Sequence, residues 1–373
     1  MEKSTCKYCI MDSTCNSTIF DEDGRCNYCK NAEILLRKNY YPNEIGARKL
    51  EETFNLIKFN CRNDEYDCLV GLSGGLDSAY VLYLGKKHGL RMLAVHIDDG
   101  LDTEEAKENI SKLCKKTKIK LVNIKPDMNQ YKDLLLSFFK ASVPNLAIPQ
   151  DNILQKSIYS IIKKYKFKYF LSGGNFAHES ILETIPGNNI SDKRHIKDIH
   201  NKFGKGRINK LNLLSMSEHF LNTTIFSKII FVRPLNFINY TLEKALDELK
   251  DYADFIYYGG KHHENILTRF LQCYYLPKKF NYDKRKSHYS SLIVSGQLSR
   301  EEGLKLIDKP LYLDEDALEN DIKFLANYFE LTYHEFLQIL NFPPRQHIDY
   351  KQSFFLNYKK LGFKIKNHVR RNI

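Results

Sequence analysis

Ser73, Gly74, Gly75, Asp77 and Ser78 interrupt an otherwise apolar run, "CLVGLSGGLDSAYVL", from Cys68 to Leu82. Hydroxyls, glycines and a carboxylate in that order, after a strand-like run and before a helix-like one, are the parts of a phosphate cradle. Gly74 and Gly75 let the backbone turn its N–H groups inward as an anion nest. The helix that follows adds its positive N-terminal end, and Ser73 and Ser78 offer hydroxyls. The competing reading is a tight turn with Asp77 or Ser78 as a helix cap. That accounts for one polar residue, not the set. The Walker pattern is absent, and G-x-G-x-x-G does not follow this strand, so neither familiar nucleotide fingerprint applies.

A second constellation lies at the start of the chain. "CKYC" (Cys6, Cys9) is followed by "CNYC" (Cys26, Cys29). Two C-x-x-C knuckles at this separation predict a closed tetrahedral zinc site, structural rather than catalytic because no position is left for substrate. So short a segment buries little core, and the metal would supply its folding energy. The alternative is redox-active or free thiols. Such a ribbon either touches nucleic acid or buttresses the next domain, and the sequence does not choose. Cys15 falls outside the pattern, and Cys68 reads as core.

These residues need a scaffold. From Tyr66 the chain alternates: strand "YDCLVGL", helix "DSAYVLYLGKKHG", strand "RMLAVHID", helix "TEEAKENISKLCKKT", strand "KLVNI", helices over 129–141 and 151–165, strand "KYFLSGG". This order predicts an α/β fold, a parallel sheet with helices on both faces. Three regions follow: a zinc ribbon and helical connector over 1–60, a nucleotide domain over 61–260, and a helical region over 261–373 ending in the basic "KKLGFKIKNHVRRN". Residues 186–228 lose the rhythm and read as an inserted loop or excursion. "KIIFVRPL" reads as a further strand and "TLEKALDELKDY" as a helix. "EDALENDIKFLANYFEL" and "YHEFLQIL" read as amphipathic helices.

With 373 residues the chain can hold two or three domains. No apolar stretch reaches 18 residues, so no membrane span is expected. The N-terminus lacks a signal-peptide layout, and a cytoplasmic location is expected, where nine cysteines would not form a disulfide framework. The net charge of +12 fits nucleic acid, a phosphorylated substrate or an acidic partner, and equally a lysine-rich solvated surface.

"SGGLDS" resembles the motif of the PP-loop ATP pyrophosphatases. The resemblance implies an adenine-nucleotide α-hydrolase-like fold, ATP cleavage between the α- and β-phosphates, and an adenylated intermediate. It carries pyrophosphate binding to Ser73, Gly74, Gly75, Asp77 and Ser78. It puts Asp98, in "AVHIDDG", at the adenine and ribose pocket. "LSGGNFAHE" brings Gly173, Gly174, Asn175 and Glu179 to the same sheet edge, where parallel folds place ligands. Asp77 or Glu179 would hold Mg²⁺ against the phosphates. The plain alternative for Asp98 and Glu179 is helix capping.

Residues Tyr257 to Leu304, "YYGGKHHENILTRFLQCYYLPKKFNYDKRKSHYSSLIVSGQLSREEGL", and the start, "CKYCIMDST…IFDEDGRCNYC", resemble the N-acetyl sugar amidotransferases of surface-polysaccharide and pseudaminic acid pathways. That resemblance implies conversion of a sugar acetamido group to acetamidino. It also implies ammonia from a separate glutaminase subunit through a cyclase-like subunit. Lys261 is the candidate for stabilising phosphate charge. His262 and His263 either move protons or merely open a helix. Lys278, Lys279, Arg285 and Lys286 either bind an anionic sugar or are solvated charges. The rival is tRNA 2-thiolation, which the charge suits. After Cys29 no C-x-x-C remains to serve it, and nucleic acid is not the expected partner.

Overall fold

The computed structural model describes residues 4–15, 17–183, 185–223, 229–312 and 315–353. The basic tail lies outside them. Five strands, β1 (Cys68–Gly71), β2 (Met92–Ile97), β3 (Lys120–Ile124), β4 (Tyr169–Leu171) and β5 (Ile230–Val232), form one sheet in the order β3-β2-β1-β4-β5. All four pairings are parallel. β1 and β2 are buried almost throughout, as expected of strands covered on both faces.

The helices in chain order are α1 (Asn27–Asn39), α2 (Glu44–Asn60), α3 (Leu76–Lys87), α4 (Glu104–Thr117), α5 (Met128–Ala141), α6 (Ile148–Tyr165), α7 (Phe176–Glu179) and α8 (Lys193–Phe203). Then come α9 (Met216–Leu221), α10 (Leu242–Ala253), α11 (Ile266–Phe270), α12 (Leu276–Phe280), α13 (Arg285–Val294), α14 (Arg300–Ile307), α15 (Glu315–Tyr328) and α16 (Tyr333–Leu340). One π-helical turn, Leu271–Tyr275, joins α11 to α12.

β1 is the pivot of the sheet. The chain builds outward from it through β2 to β3, then returns to its other side with β4 and β5. That reversal opens a crevice at the carboxyl ends of β1 and β4, where open parallel sheets bind ligands. The topology thereby aims the loop after β1 and the loop after β4 at one point. Leu50, Phe54 and Ile57 of α2, Val70, Leu82, Leu171, Val232 and Leu249 form the core beneath.

The chain divides into two compact units, each of discontinuous stretches. One is Met1–Lys125, Ile161–Thr184 and Ile229–Lys323; the other is Pro126–Ser160, Ile185–Lys228 and Phe324–Ile373. This division cuts across the three consecutive regions expected from the sequence. Ribbon, sheet and most of the helical region share the first unit.

The segment near 186–228, expected as an inserted loop or excursion, carries α8 and α9 among its described residues and belongs to the second unit, where α8 lies on α5. The reason is a buried amide. Asn152 Nδ2 donates to the carbonyls of Ile190 (2.6 Å) and Leu214 (2.9 Å), and its Oδ1 accepts from Leu214 N (2.9 Å). Buried backbone groups must be paired, and one side chain satisfies three of them. Phe139, Phe329 and Phe336 form an aromatic cluster in the same unit.

Among the described residues no helix is long and apolar enough to cross a membrane.

Asn152→Leu should strip those three groups of their partner and cost on the order of 3 kcal/mol. Hydrogen exchange should show faster exchange over 189–214 with protection of β1 and β2 unchanged. Unchanged exchange over 189–214 would refute the pin.

Candidate active site

The loop after β1 is shaped before any ligand arrives. Gly74 has φ +79°, and a Cβ there would come within 2.5 Å of Ala106 O, so only glycine fits between the loop and α4. Ser73 N donates to Ser78 Oγ (3.2 Å), Gly75 N donates to Ser73 Oγ (3.2 Å), and the two hydroxyls lie 3.1 Å apart. Gly75 is the N-cap of α3, with no side-chain capping bond. The competing cap reading of Asp77 and Ser78 therefore fails: no side chain of the turn itself caps the helix, and its first N–H, of Leu76, is taken by the hydroxyl of Tyr258. His96 anchors the loop's root: Nδ1 donates to Leu72 O (2.9 Å) and Nε2 faces Asp102 (3.0 Å). Burial pulls its pKa down, but Asp102 outweighs it, and the net shift is upward.

Asp77 points from the first turn of α3 into a charge cluster. Lys261 Nζ lies 3.6 Å from Asp77 and 2.9 Å from Glu179, and its side chain is 18% exposed. Tyr240 donates its hydroxyl to Asp77. Burial pushes the Asp77 carboxyl up, yet Lys261 and its other neighbours hold it below the usual carboxylate range. Burial likewise pulls Lys261 down, and the two carboxylates reverse the effect. Gly173 lets the end of β4 approach this turn, since a Cβ would sit 3.0 Å from the Asp77 carbonyl carbon. Asn175 caps α7 by accepting from His178 N (2.9 Å), which sets the placement of Glu179.

Two carboxylates converging on one cation suit Mg²⁺, which binds through a few carboxylates plus phosphate oxygens. Asp77 and Glu179 are the residues that would hold it. Asp98 stands apart at the end of β2, half-exposed and 3.7 Å from Lys125. The structure does not bring it into the Asp77–Lys261–Glu179 cluster.

Several residues of this site escaped the sequence reading. Glu264 lies under the loop: its Oε1 accepts from Ser73 Oγ (3.4 Å), and its buried Oε2 has no partner. Burial pushes its pKa up to about 7. Tyr258 OH accepts from Leu76 N (2.7 Å). Gln297 joins Tyr240 O (2.7 Å) to His178 Nε2 (3.2 Å). The one signal for Glu264 was its place after His262 and His263; Tyr240 and Gln297 carry no local motif.

Beside the cluster opens a cavity of about 580 Å³. His178, Glu179, Lys261, His262, His288 and Tyr289 are among its walls. His262 has φ +63° and its pKa is drawn down to about 4 by burial and then by Lys261. His263 faces Cys273 (3.4 Å) and is likewise lowered to about 4 by burial.

The basic residues proposed from sequence are mostly committed elsewhere. Arg285 binds Asp283 (2.8 Å) and the carbonyls of Lys309 (2.7 Å) and Ile307 (3.0 Å). Lys286 binds Asp12 (2.7 Å). Lys278 and Lys279 lie over Tyr274 and Tyr275.

The four ribbon cysteines are fully buried, with all four sulfurs within 4.8 Å of one another. Backbone N–H groups of Tyr8, Met11 and Cys26 point at Cys6 and Cys9 sulfurs at 3.3–3.4 Å, as thiolate ligands require. The set fits a closed zinc site, and Cys15 is outside it. The ribbon docks on the wall of the large cavity. Arg300 of α14 donates to Cys6 O (2.9 Å) and Cys9 O (3.1 Å), Lys286 of α13 reaches Asp12, and Ile10 N donates to Ser290 Oγ (3.3 Å).

Residues 264–365 match the family model described as "LPS biosynthesis protein WbpG-like, C-terminal domain", and residues 67–160 match "Queuosine biosynthesis protein QueC". The second match carries the loop after β1, and the first begins at Glu264. A search of curated proteins returns no match. Among solved structures, NMN synthetase from Francisella tularensis aligns at 16% identity over 75% of this chain and 92% of its own, TM-score 0.33. NH3-dependent NAD synthetase from Campylobacter jejuni aligns at 18% over 76% and 93%, TM-score 0.32. NAD+ synthetase from Burkholderia pseudomallei aligns at 10% over 83% and 97%, TM-score 0.34. Scores this low carry no structural argument. The two family matches support an ATP-using PP-loop enzyme of amidation or ligation.

Metal removal should release the ribbon and, with it, the wall formed by α13 and α14. Hydrogen exchange before and after chelation should show protection lost over 285–307 and retained in the loop after β1. Retained protection at 285–307 would show the docking to be independent of metal.

Glu264→Gln should change stability in a pH-dependent way. A carboxyl raised to about 7 keeps its proton when folded, so the native state grows less stable as pH rises from the ordinary range through 7. The variant should gain on the order of 3 kcal/mol at pH 8.5 and little at pH 5. Equal gains in thermal melts at both pH values would contradict a neutral Glu264 at pH 5.

Proposed function

We propose that this chain, whose two matched regions support the PP-loop amidotransferase family, converts an acetamido group of a bacterial surface sugar, as a sugar nucleotide or nonulosonic acid, to an acetamidino group at the expense of ATP. The observation that carries the reading is the adjacency of two features. The loop after β1 leads to Asp77 in the Asp77–Lys261–Glu179 cluster, and Lys261 and Glu179 in turn line a cavity large enough for a sugar. The lipopolysaccharide-biosynthesis match supports the substrate class.

An amide oxygen is a poor leaving group. The acceptor's amide oxygen attacks the α-phosphate of ATP; the bond between the α- and β-phosphates breaks and pyrophosphate departs. Lys261 is positioned to neutralise the phosphoryl oxygens, where fixed charge is worth most. Asp77 and Glu179 would hold Mg²⁺, which would supply further neutralisation of phosphate charge. The loop N–H groups and the N-terminal end of α3 hold the pyrophosphate. The resulting O-adenyl imidate has an electrophilic carbon; ammonia adds and AMP leaves. His262 stays neutral at physiological pH, so its role is to orient the acceptor rather than to donate a proton. Asp98, at the edge of the sheet, would meet the adenosine. We further propose that ammonia comes from a glutaminase partner through a cyclase-like subunit.

Incubation with ATP, Mg²⁺, ammonium and a panel of acetamido sugar nucleotides and nonulosonic acids should give a product one mass unit lighter, with AMP in equal amount. Asp77→Ala should abolish AMP formation while leaving bound zinc unchanged. AMP release that depends on tRNA, with no change across the sugar panel, would replace this reading with RNA modification.

A further inference from the structure

Three reactants must meet at one carbon. The loop after β1 takes the nucleotide, and the 580 Å³ cavity takes the acceptor. A second cavity of about 530 Å³ touches the same place from another side. It shares Glu179 and Leu182 with the first cavity, and its outer wall is α1 of the ribbon, through Asn27 and Asn31. Two of its lining groups are buried hydrogen-bonding atoms with no partner: Asn175 Nδ2, in a residue 2% exposed, and Ser180 Oγ, in one 7% exposed. The Asn175 amide cannot turn to hide this group, because its Oδ1 already accepts from His178 N at 2.9 Å. Buried polar groups are nearly always paired. Two orphans on one cavity mark a place where a polar molecule belongs.

The donor set defines that molecule. A hydroxyl and an amide N–H can both donate to a lone pair; the Glu179 carboxylate accepts N–H bonds and repels anions, and the Arg233 guanidinium on the same lining repels cations, which together favour a small neutral molecule. Ammonia has one lone pair and three N–H groups and meets both demands. We propose that this second cavity is the port by which ammonia reaches the activated acceptor, with Ser180 and Asn175 as its subsite. This inference rests on the amidotransferase reading above.

Ammonium gives up its proton to solvent before entry. The nitrogen lone pair then forms the C–N bond, and the C–O bond to AMP breaks with its electron pair going to the phosphate oxygen. One N–H proton passes to the acetamido nitrogen, leaving an amidinium and AMP. No other reactant is needed.

Two variants test the port. Asn31→Trp places a bulky ring in the exposed mouth, on a residue that lines the second cavity and not the first. Ser180→Ala removes one donor from the subsite. Amidine formation is followed by mass spectrometry against ammonium chloride, at fixed pH and ionic strength, with ATP and the sugar saturating. Each variant should raise KM for ammonium about tenfold, the equivalent of one lost hydrogen bond, while kcat at saturating ammonium and KM for ATP stay unchanged. If Asn31→Trp unfolds, Ser180→Ala decides alone. Wild-type protein that forms neither amidine nor AMP with any sugar refutes the function itself. Amidine formed with the same ammonium KM in wild type and Ser180→Ala overturns the port alone.

Discussion

Lys261 can be sheltered from water only because Asp77 and Glu179 face it together. A desolvated ammonium without partners would shed its proton or refuse burial. The three residues belong to segments far apart in sequence: the first turn of α3, the end of α7 and the stretch after α10. Their meeting fixes the position of all three, and with them the loop after β1, the approach of β4 and the floor of the acceptor cavity. Tyr240 hydrogen-bonds Asp77, and Gln297 holds the backbone of Tyr240, carrying the same constraint into the residues between α13 and α14.

The ribbon's place follows from the same economy. Its core is four sulfurs and a few apolar side chains, too little to fold without a metal. Yet its knuckle carbonyls receive Arg300, and its Asp12 receives Lys286. Both partners lie on helices whose neighbours face the acceptor cavity. The ribbon, read from sequence as either a nucleic-acid contact or a buttress, makes the contacts of a buttress with α13 and α14. It also narrows the earlier reading of the basic residues. Lys286 and Arg285 hold helices in place, and Arg285 also lines the large cavity together with Lys261, Lys284 and Lys309.

What could be read from the sequence was what repeats locally. The strand "KLVNI" falls on β3 residue for residue, and the glycines of "SGGLDS" sit where a cradle needs them because the requirement is a backbone one. The four cysteines announced themselves by spacing. Lys261 and Glu179, singled out by motif and strand end, lie together as an ion pair. Glu264, Tyr240 and Gln297 were not, because their roles arise from contacts across 57 to 191 residues, which no local period encodes. Residues 190–214 show the opposite case: their composition is that of a loop, and the distant Asn152 supplies pairing at Ile190 and Leu214 that the segment itself lacks.

The histidines around the acceptor cavity bear on the chemistry in a way their number alone does not. His178, His262 and His288 all lie below the ordinary imidazole value, each first through burial; Lys261 adds to the lowering at all three, and at His178 Asp77 opposes it. Near neutral pH they are uncharged, so they supply neither a proton to a leaving group nor a counter-ion to an anion. A mechanism that expelled hydroxide from an amide would need such a proton. One that first converts the oxygen to AMP does not, because the leaving phosphate is stable as an anion. Neutral imidazoles also avoid surrounding an incoming ammonia with acids that would protonate it and occupy its lone pair. The same burial that disqualifies these residues as general acids would, in the proposed reaction, leave the task of activation to Lys261 and the nucleotide.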